Sequence, residues 1–224
     1  MCAEKQRVFV VGASGQARVV IDILEKQNRY VIAGLLDSFK PVHTRLCGYE
    51  VKGSENDLPS LTKEYETALG VVAIGDNVLR SEVVRRLRKS FPAFGFVTPI
   101  HPSAQIGRDV MLGDGTVVMA GAIINPGAVI GAHCIVNTNA SVDHDSWLGD
   151  YGSMGPGATT GGNVRIGEFT AVAQRASIIH GLCIGEHAVI GAGATVLTDI
   201  PSFVVAHGTP ARVSRKRTAG EAYL

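Results

Sequence analysis

Aromatic side chains are scarce in this chain: phenylalanine, tyrosine and tryptophan together make up 6% of its 224 residues. A core of large rings is thereby excluded, and stacked aliphatic side chains must fill the interior. Cysteine is sparse too. Cys2, Cys47, Cys134 and Cys183 are scattered with no CxxC pair, which argues against a zinc knuckle and against a disulfide framework. Cys134 and Cys183 read as packing residues. A formal net charge of only +1 offers nothing to a nucleic-acid groove or an anionic membrane surface. No apolar run approaches the length of a transmembrane helix, and the N-terminus lacks a basic region followed by an apolar stretch and a small-residue cleavage site. The expectation is a cytoplasmic protein with neither nucleic acid nor membrane as partner.

What is present is a period. From Ile106 to Val196 an aliphatic residue recurs at every sixth position, sixteen positions without insertion, and Thr160 alone breaks the apolar rule. Glycine follows most of these positions, as in Gly107, Gly113, Gly131, Gly149 and Gly167, and a small residue sits two before, as in Ala122, Ala128, Ala140, Ala158 and Ala188. A helix would need spacings of three and four, and a half-buried strand strict alternation. A period of six instead signals a parallel β-helix, with three hexapeptides per triangular coil and roughly five coils.

The first hundred residues follow another pattern. Val8 to Val11 reads as a buried strand, followed by the turn Gly12-Ala13-Ser14-Gly15-Gln16-Ala17 and an amphipathic run through Val19, Val20, Ile23 and Leu24. A second strand, Val31 to Leu36, ends at Asp37. A third, Ala68 to Ile74, ends at Gly75-Asp76-Asn77 before a helical stretch from Leu79 to Arg88. This predicts a small parallel α/β domain over 1–100, the β-helix over 101–200 and a tail over 201–224. The Gly-x-x-Gly turn presents backbone N–H groups at a helix N-terminus, where a diphosphate binds, although a bare strand-to-helix turn explains it as well. Asp37, at a strand's carboxyl end, suits a ribose hydroxyl or a base edge.

Hexapeptide prisms have no intrinsic activity, so outward residues that depart from the small composition carry the chemistry. Val142-Asp143-His144-Asp145 is such a departure: a neutral imidazole takes a proton from an attacking amine or hydroxyl, and an adjacent carboxylate holds its tautomer. The alternative is a solvated surface histidine. His133 and His187 are expected at exposed corners, His43 in a polar loop and His101 at the junction. His180 is equivalent to His144 in its own coil, but Gly181 follows it and no carboxylate is adjacent. Asn137 is placed to orient a substrate or the imidazole, or else belongs to a buried polar row. The basic cluster Arg215-Lys216-Arg217 fits the phosphates of coenzyme A or an ordinary solvated tail.

Taken together, the glycine-turn domain, the unbroken prism with Asn137-Thr138 and Asp143-His144-Asp145, and the closing Gly208-Thr209-Pro210-Ala211-Arg212 resemble the bacterial nucleotide-sugar N-acetyltransferases, which belong to the left-handed β-helix (hexapeptide) sugar acyltransferases. The perosamine and bacillosamine pathway enzymes are closest in character. The resemblance covers essentially the whole chain. It implies a Rossmann-like α/β domain followed by a left-handed parallel β-helix, a homotrimer with active sites between neighbouring prisms, and acetyl-CoA as co-substrate with no metal. The acceptor it implies is the 4-amino group of a UDP- or GDP-linked 4-amino-4,6-dideoxy sugar.

By the same resemblance His144 is the general base and Asp145 its partner. Gly12, Ser14, Gly15, Asp37, Gly75, Asp76, Asn77 and Asn137 contact the nucleotide sugar, and Ser153, Gly162, Gly181, Pro210 and Arg215 lie along the cofactor. The backbone N–H of Gly162 approaches the thioester carbonyl. Two departures stand out: Ser153 occupies the place of a second histidine, and the glycine turn reads Ala-Ser-Gly-Gln where relatives carry Gly-Gly-Gly-His. Sialic-acid O-acetyltransferases share the layout and give a second enzyme reading. A scaffold or metal-binding prism is the non-enzyme reading, although the histidines lack the spacing of a three-histidine zinc site.

Overall fold

The computed structural model describes residues 5–222. Its first domain is built around β1 (Gln6–Val11), whose last four residues are fully buried, and α1 (Gly15–Gln27), which lays Ala17, Val20, Ile21 and Leu24 against the sheet. There follow β2 (Tyr30–Leu36), the short hairpin β3 (Arg45–Leu46) and β4 (Tyr49–Gly53), then α2 (Leu58–Glu64), β5 (Leu69–Val72), α3 (Asn77–Ser90) and β6 (Gly95–Phe96). The sheet order is β3-β4-β2-β1-β5-β6, parallel except for the β3–β4 pair. The expected parallel sheet is therefore present with an antiparallel hairpin added at one edge. α3 begins two residues before the stretch read from the sequence, because the Asp76 carboxylate caps it by accepting from the N–H groups of Val78 and Leu79.

From residue 105 the chain becomes a prism. Sixteen two-residue strands, β7 to β22, run from Gln105–Ile106 to Thr195–Val196 and pair in parallel at eighteen-residue steps, such as Ile124 with Val142 and Ile135 with Ser153. Each hexapeptide thus supplies one side of a triangle, and three close a coil. The inward column Ile124, Ile130, Val136, Val142, Leu148 and Met154 is almost completely buried. Each such side chain contributes on the order of 1.5–3 kcal/mol over its exposed state. Thr160, the polar exception, is buried too, and its hydroxyl accepts the N–H of Asp143.

The segment expected as a tail is not one. β23 (Val204–Gly208) adds in parallel to the third prism face through Val189↔Val205, and β24 (Ala211–Lys216) returns antiparallel along it. Apolar residues Val204, Ala206 and Ala211 close the last coil, which is why the hairpin docks.

The two domains share a core. Val117, Met119 and Ile135, pointing outward from the third face, pack with Val8, Val10, Ile21 and Leu24. Arg80, buried on α3, is the polar counterpart. Its guanidinium donates to the carbonyls of His133 (2.7 Å), Ile74, Gly75 and Tyr151 and to Asn77 Oδ1 (2.7 Å). Asn77 in turn donates to the carbonyls of Phe169 and Thr170.

Beside this contact runs a ladder of rings. His133, Tyr151, Phe169, His187 and Phe203 occupy the left-handed position of one corner in successive coils and stack with centroids 4.6–5.3 Å apart. Phe96 meets His133 edge-on. His133, expected at an exposed corner, is instead buried, because α3 and Phe96 cover that edge; His187 is half-buried between two phenyl rings. Cys134 packs inside as expected, Cys183 is exposed because it points outward from its strand, and Cys2 lies outside the described residues.

Among the described residues neither ring nitrogen of His133 has a hydrogen-bond partner. Burial, aided by the nearby charges of Arg88 and Arg80, holds its pKa down at about 3. An unfolded chain takes up this proton near pH 6.5 and the folded one near 3, so this residue removes stability as pH falls through that window. Phenylalanine keeps the stack and removes two unpaired polar atoms. His133→Phe is expected to raise the melting temperature by about 2–4 °C, on the order of 1 kcal/mol. Thermal melts of both proteins from neutral to acidic pH check it, and the variant's loss of stability on acidification should be smaller.

Candidate active site

The first cleft opens at the carboxyl ends of β1 and β2. Gly12 adopts φ +110°, and a Cβ there would lie 2.9 Å from the Ala73 carbonyl oxygen, so the turn requires glycine. The Asp37 carboxylate accepts from Ala13 N–H (2.8 Å) and from the N–H groups of Phe39 and Lys40, tying the glycine turn to the loop after β2. Three of a carboxylate's roughly four acceptor sites are thus used within the chain. Gly12, Ser14 and Asp37 line the cleft with Phe39, Lys40 and Arg86, while Gly15 opens α1 and is exposed. Arg86 pairs with Glu55 at 3.1 Å, and Glu55 also accepts from Ser38. No local motif announced Glu55 or Arg86, since thirty-one residues separate them.

A second cleft lies between the domains along the third prism face, bounded by Gln16 and Gly75 on one side and by Asn137, Ser153, Pro156 and Gln174 on the other. Of the Gly75-Asp76-Asn77 segment, only Gly75 reaches it. Asp76 is spent on capping α3, and Asn77 is fully buried with its amide engaged in the domain contact. The structure therefore assigns Asn77 to holding the domains together, in place of the expected sugar contact.

The imidazole stands on a different edge. His144 follows the inward Val142 at the corner between the first and second faces, and its Nδ1 meets Asp145 Oδ2 at 2.8 Å. Asp145 sits in the left-handed position, φ 56°, which swings its carboxylate back toward the ring. Asp143 accepts from His144 N–H (2.8 Å) and from Asn125 Nδ2 (2.7 Å), fixing the corner below. The hydrogen bond that His144 donates to Asp145, and then the charges of both carboxylates, raise the His144 pKa above its ordinary value. With Nδ1 held by a carboxylate, Nε2 is the free basic nitrogen.

Gly162, one coil on, lies beneath that ring. A Cβ at this position would stand 2.4 Å from His144 Nε2. The N–H of Gly162 donates to no group among the described residues, whereas its carbonyl accepts from Gly181 N–H at 3.0 Å. Gly162→Ala is expected to displace the imidazole and lower kcat about 100-fold, the cost of misplacing a reacting group by an ångström. Steady-state kinetics alongside a thermal melt check it, with the melt expected to change little at this outer corner.

The remaining expected residues are dispersed. Asn137 lies on the edge between the third and first faces, a full prism face away from His144, so it cannot orient that imidazole within one chain. Pro210 turns the closing hairpin near that same edge, where Thr209 and Thr195 meet. Arg215 is paired with Glu221. In a single chain, then, the His144 corner with Gly162 and Gly181 is separate from both clefts described above.

The pattern has counterparts among known proteins. Residues 7–87 match the PglD N-terminal domain, and residues 103–138 match the bacterial transferase hexapeptide family of six repeats. A prism of this kind, with an imidazole–carboxylate corner and such a domain at its head, is an acyltransferase of the hexapeptide-repeat class. A mutant of perosamine N-acetyltransferase from Caulobacter crescentus, solved in complex with CoA and GDP-perosamine, superposes with a TM-score of 0.87 at 36% identity, covering 96% of this chain and 99% of that one. The acetyltransferase domain of PglB from Neisseria gonorrhoeae FA1090, in complex with acetyl coenzyme A, gives 0.84 at 30% identity over 94% and 100%. UDP-N-acetylbacillosamine N-acetyltransferase of Bacillus subtilis (strain 168) is 36% identical over 116 residues, 51% of this chain and about half (52%) of that relative's length. The chain belongs to this family of left-handed β-helix nucleotide-sugar N-acetyltransferases.

Proposed function

We propose that this protein transfers the acetyl group of acetyl-CoA to the 4-amino group of a UDP- or GDP-linked 4-amino-4,6-dideoxy sugar, with His144 as general base. The observation that carries the reading is the His144–Asp145 pair poised over Gly162, whose N–H is unspent. The amine attacks the thioester carbon while His144 Nε2 removes its proton. The Gly162 N–H receives the oxyanion, a contact typically worth about 3 kcal/mol. Collapse breaks the carbon–sulfur bond, and the proton held by His144 returns to the departing thiolate. A bound amine is already a competent nucleophile, so proximity does most of the work and no acetyl-enzyme is required.

The glycine-turn cleft is the place for the nucleotide, with Ser14 and the α1 N-terminus toward the diphosphate. The groove past Asn137 and Ser153 is the place for the pantetheine arm. Because the corner and these clefts are separate in one chain, the reading includes a homotrimer in which neighbouring prisms bring them together, and a cytoplasmic location. Among the described residues no helix is long and apolar enough to cross a membrane.

Acetyl-CoA turnover with a panel of UDP- and GDP-linked 4-amino sugars and free sialic acids tests it. Transfer to an amino sugar is the expected result. Transfer to a sialic acid hydroxyl alone would replace N-acetylation by O-acetylation at the same base, and turnover with none would leave the catalytic reading without support.

A further inference from the structure

A second imidazole stands beside that of His144. His180 lies thirty-six residues after His144, two coils along the edge. Adjacent coils are about 4.8 Å apart, so the two backbone positions are separated by roughly 9.6 Å. Yet the ring centroids are 6.3 Å apart, tilted by 49°. The rings converge across Gly162, which has no side chain to part them. His144 has its Nδ1 committed to Asp145. His180 is exposed, and among the described residues neither of its nitrogens has a hydrogen-bond partner. No carboxylate adjoins it in sequence to hold one nitrogen, so its ring offers hydrogen-bonding atoms to a ligand.

We infer that His180 forms the second wall of the acceptor site and hydrogen-bonds the 3-hydroxyl of the sugar, selecting acceptors that carry a hydroxyl next to the reacting amine. The inference rests on the N-acetyltransferase reading of the His144 corner. In a 4-amino-4,6-dideoxy sugar only one neighbour of the amine-bearing carbon carries a hydroxyl, at position 3, because the other carries the methyl group and the ring oxygen. Amine and hydroxyl on adjacent ring carbons lie about a hydrogen-bond length apart. Two imidazoles facing each other over a flat floor suit that pair: His144 takes the amine, His180 the hydroxyl.

The test is a cycle of two acceptors and three proteins. The nucleotide-linked 4-amino sugar and its 3-deoxy analogue are compared on wild type, His180→Ala and His180→Gln. Wild type should lose about tenfold in kcat/KM when the hydroxyl is removed, the worth of one hydrogen bond. His180→Ala should lose a similar factor on the full substrate and no longer distinguish the two acceptors, while His180→Gln, which keeps a donor and an acceptor, should recover part of the discrimination. Unchanged discrimination in His180→Ala would overturn the inference and leave the proposed function standing, as would an equal loss on both acceptors. Failure of wild type to acetylate any nucleotide-linked 4-amino sugar would remove the reading itself and the inference with it.

Discussion

Replacing His144 with asparagine should lower kcat by about 10²–10⁴, the range that a positioned general base contributes, while KM for both substrates changes little. Asparagine keeps a polar group of similar reach but cannot hold a proton, so binding and chemistry separate. A variant with near wild-type kcat would end the general-base assignment. The pH profile supplies an independent check. The base works only when neutral, and the Asp145 hydrogen bond raises its pKa; activity should therefore rise with pH through a midpoint above that of an ordinary histidine. Asp145→Asn removes the carboxylate and should move this acidic limb to lower pH, with a reduced plateau because the ring is less well held. A limb that stays in place would mean that another group controls it.

Arg80→Ala should be strongly destabilising, at about 3–5 kcal/mol. Removing the guanidinium leaves the carbonyls of His133 and Tyr151 and the amide oxygen of Asn77 without their donor in a buried contact, and each stranded acceptor costs about 1–3 kcal/mol before relaxation. For a chain of this length, this corresponds to roughly 10 °C or more in melting temperature. Arg80→Lys should rescue little, since one ammonium cannot span acceptors that a planar fork reaches at once. Calorimetry decides the matter: a melt within 2–3 °C of wild type for the alanine variant would show that hydrophobic contact alone joins the domains.

The prism was legible because stacking makes the same demand at every sixth residue, and sixteen repetitions of one demand leave a visible period. His144 stood out for the converse reason, as a residue that the repeat has no use for. What the period could not reveal was which of the three edges is covered. His133 and Asn77 were misread on that account, one as an exposed corner and the other as a substrate contact, when both belong to the domain junction. A signal was present in the rings at 133, 151, 169 and 187, spaced by eighteen. It marks a continuous stack on one edge. Glu55 and Arg86 escaped because their proximity depends on how the short turn before α2 meets α3 across the sheet, and the short hairpin β3–β4 has too few residues for a pattern to register.

The eighteen-residue coil also sets how this protein can change length. Removing or adding eighteen residues shortens or extends the column by one storey and returns every later side chain to the edge it occupied. Removing six turns the rest of the chain by one side of the triangle, carrying His180 off the edge of His144 and taking the ring stack out from under α3. Viable lengths of such a prism are therefore quantised, and its His144 corner tolerates insertion or loss only in whole storeys that do not fall between His144 and His180.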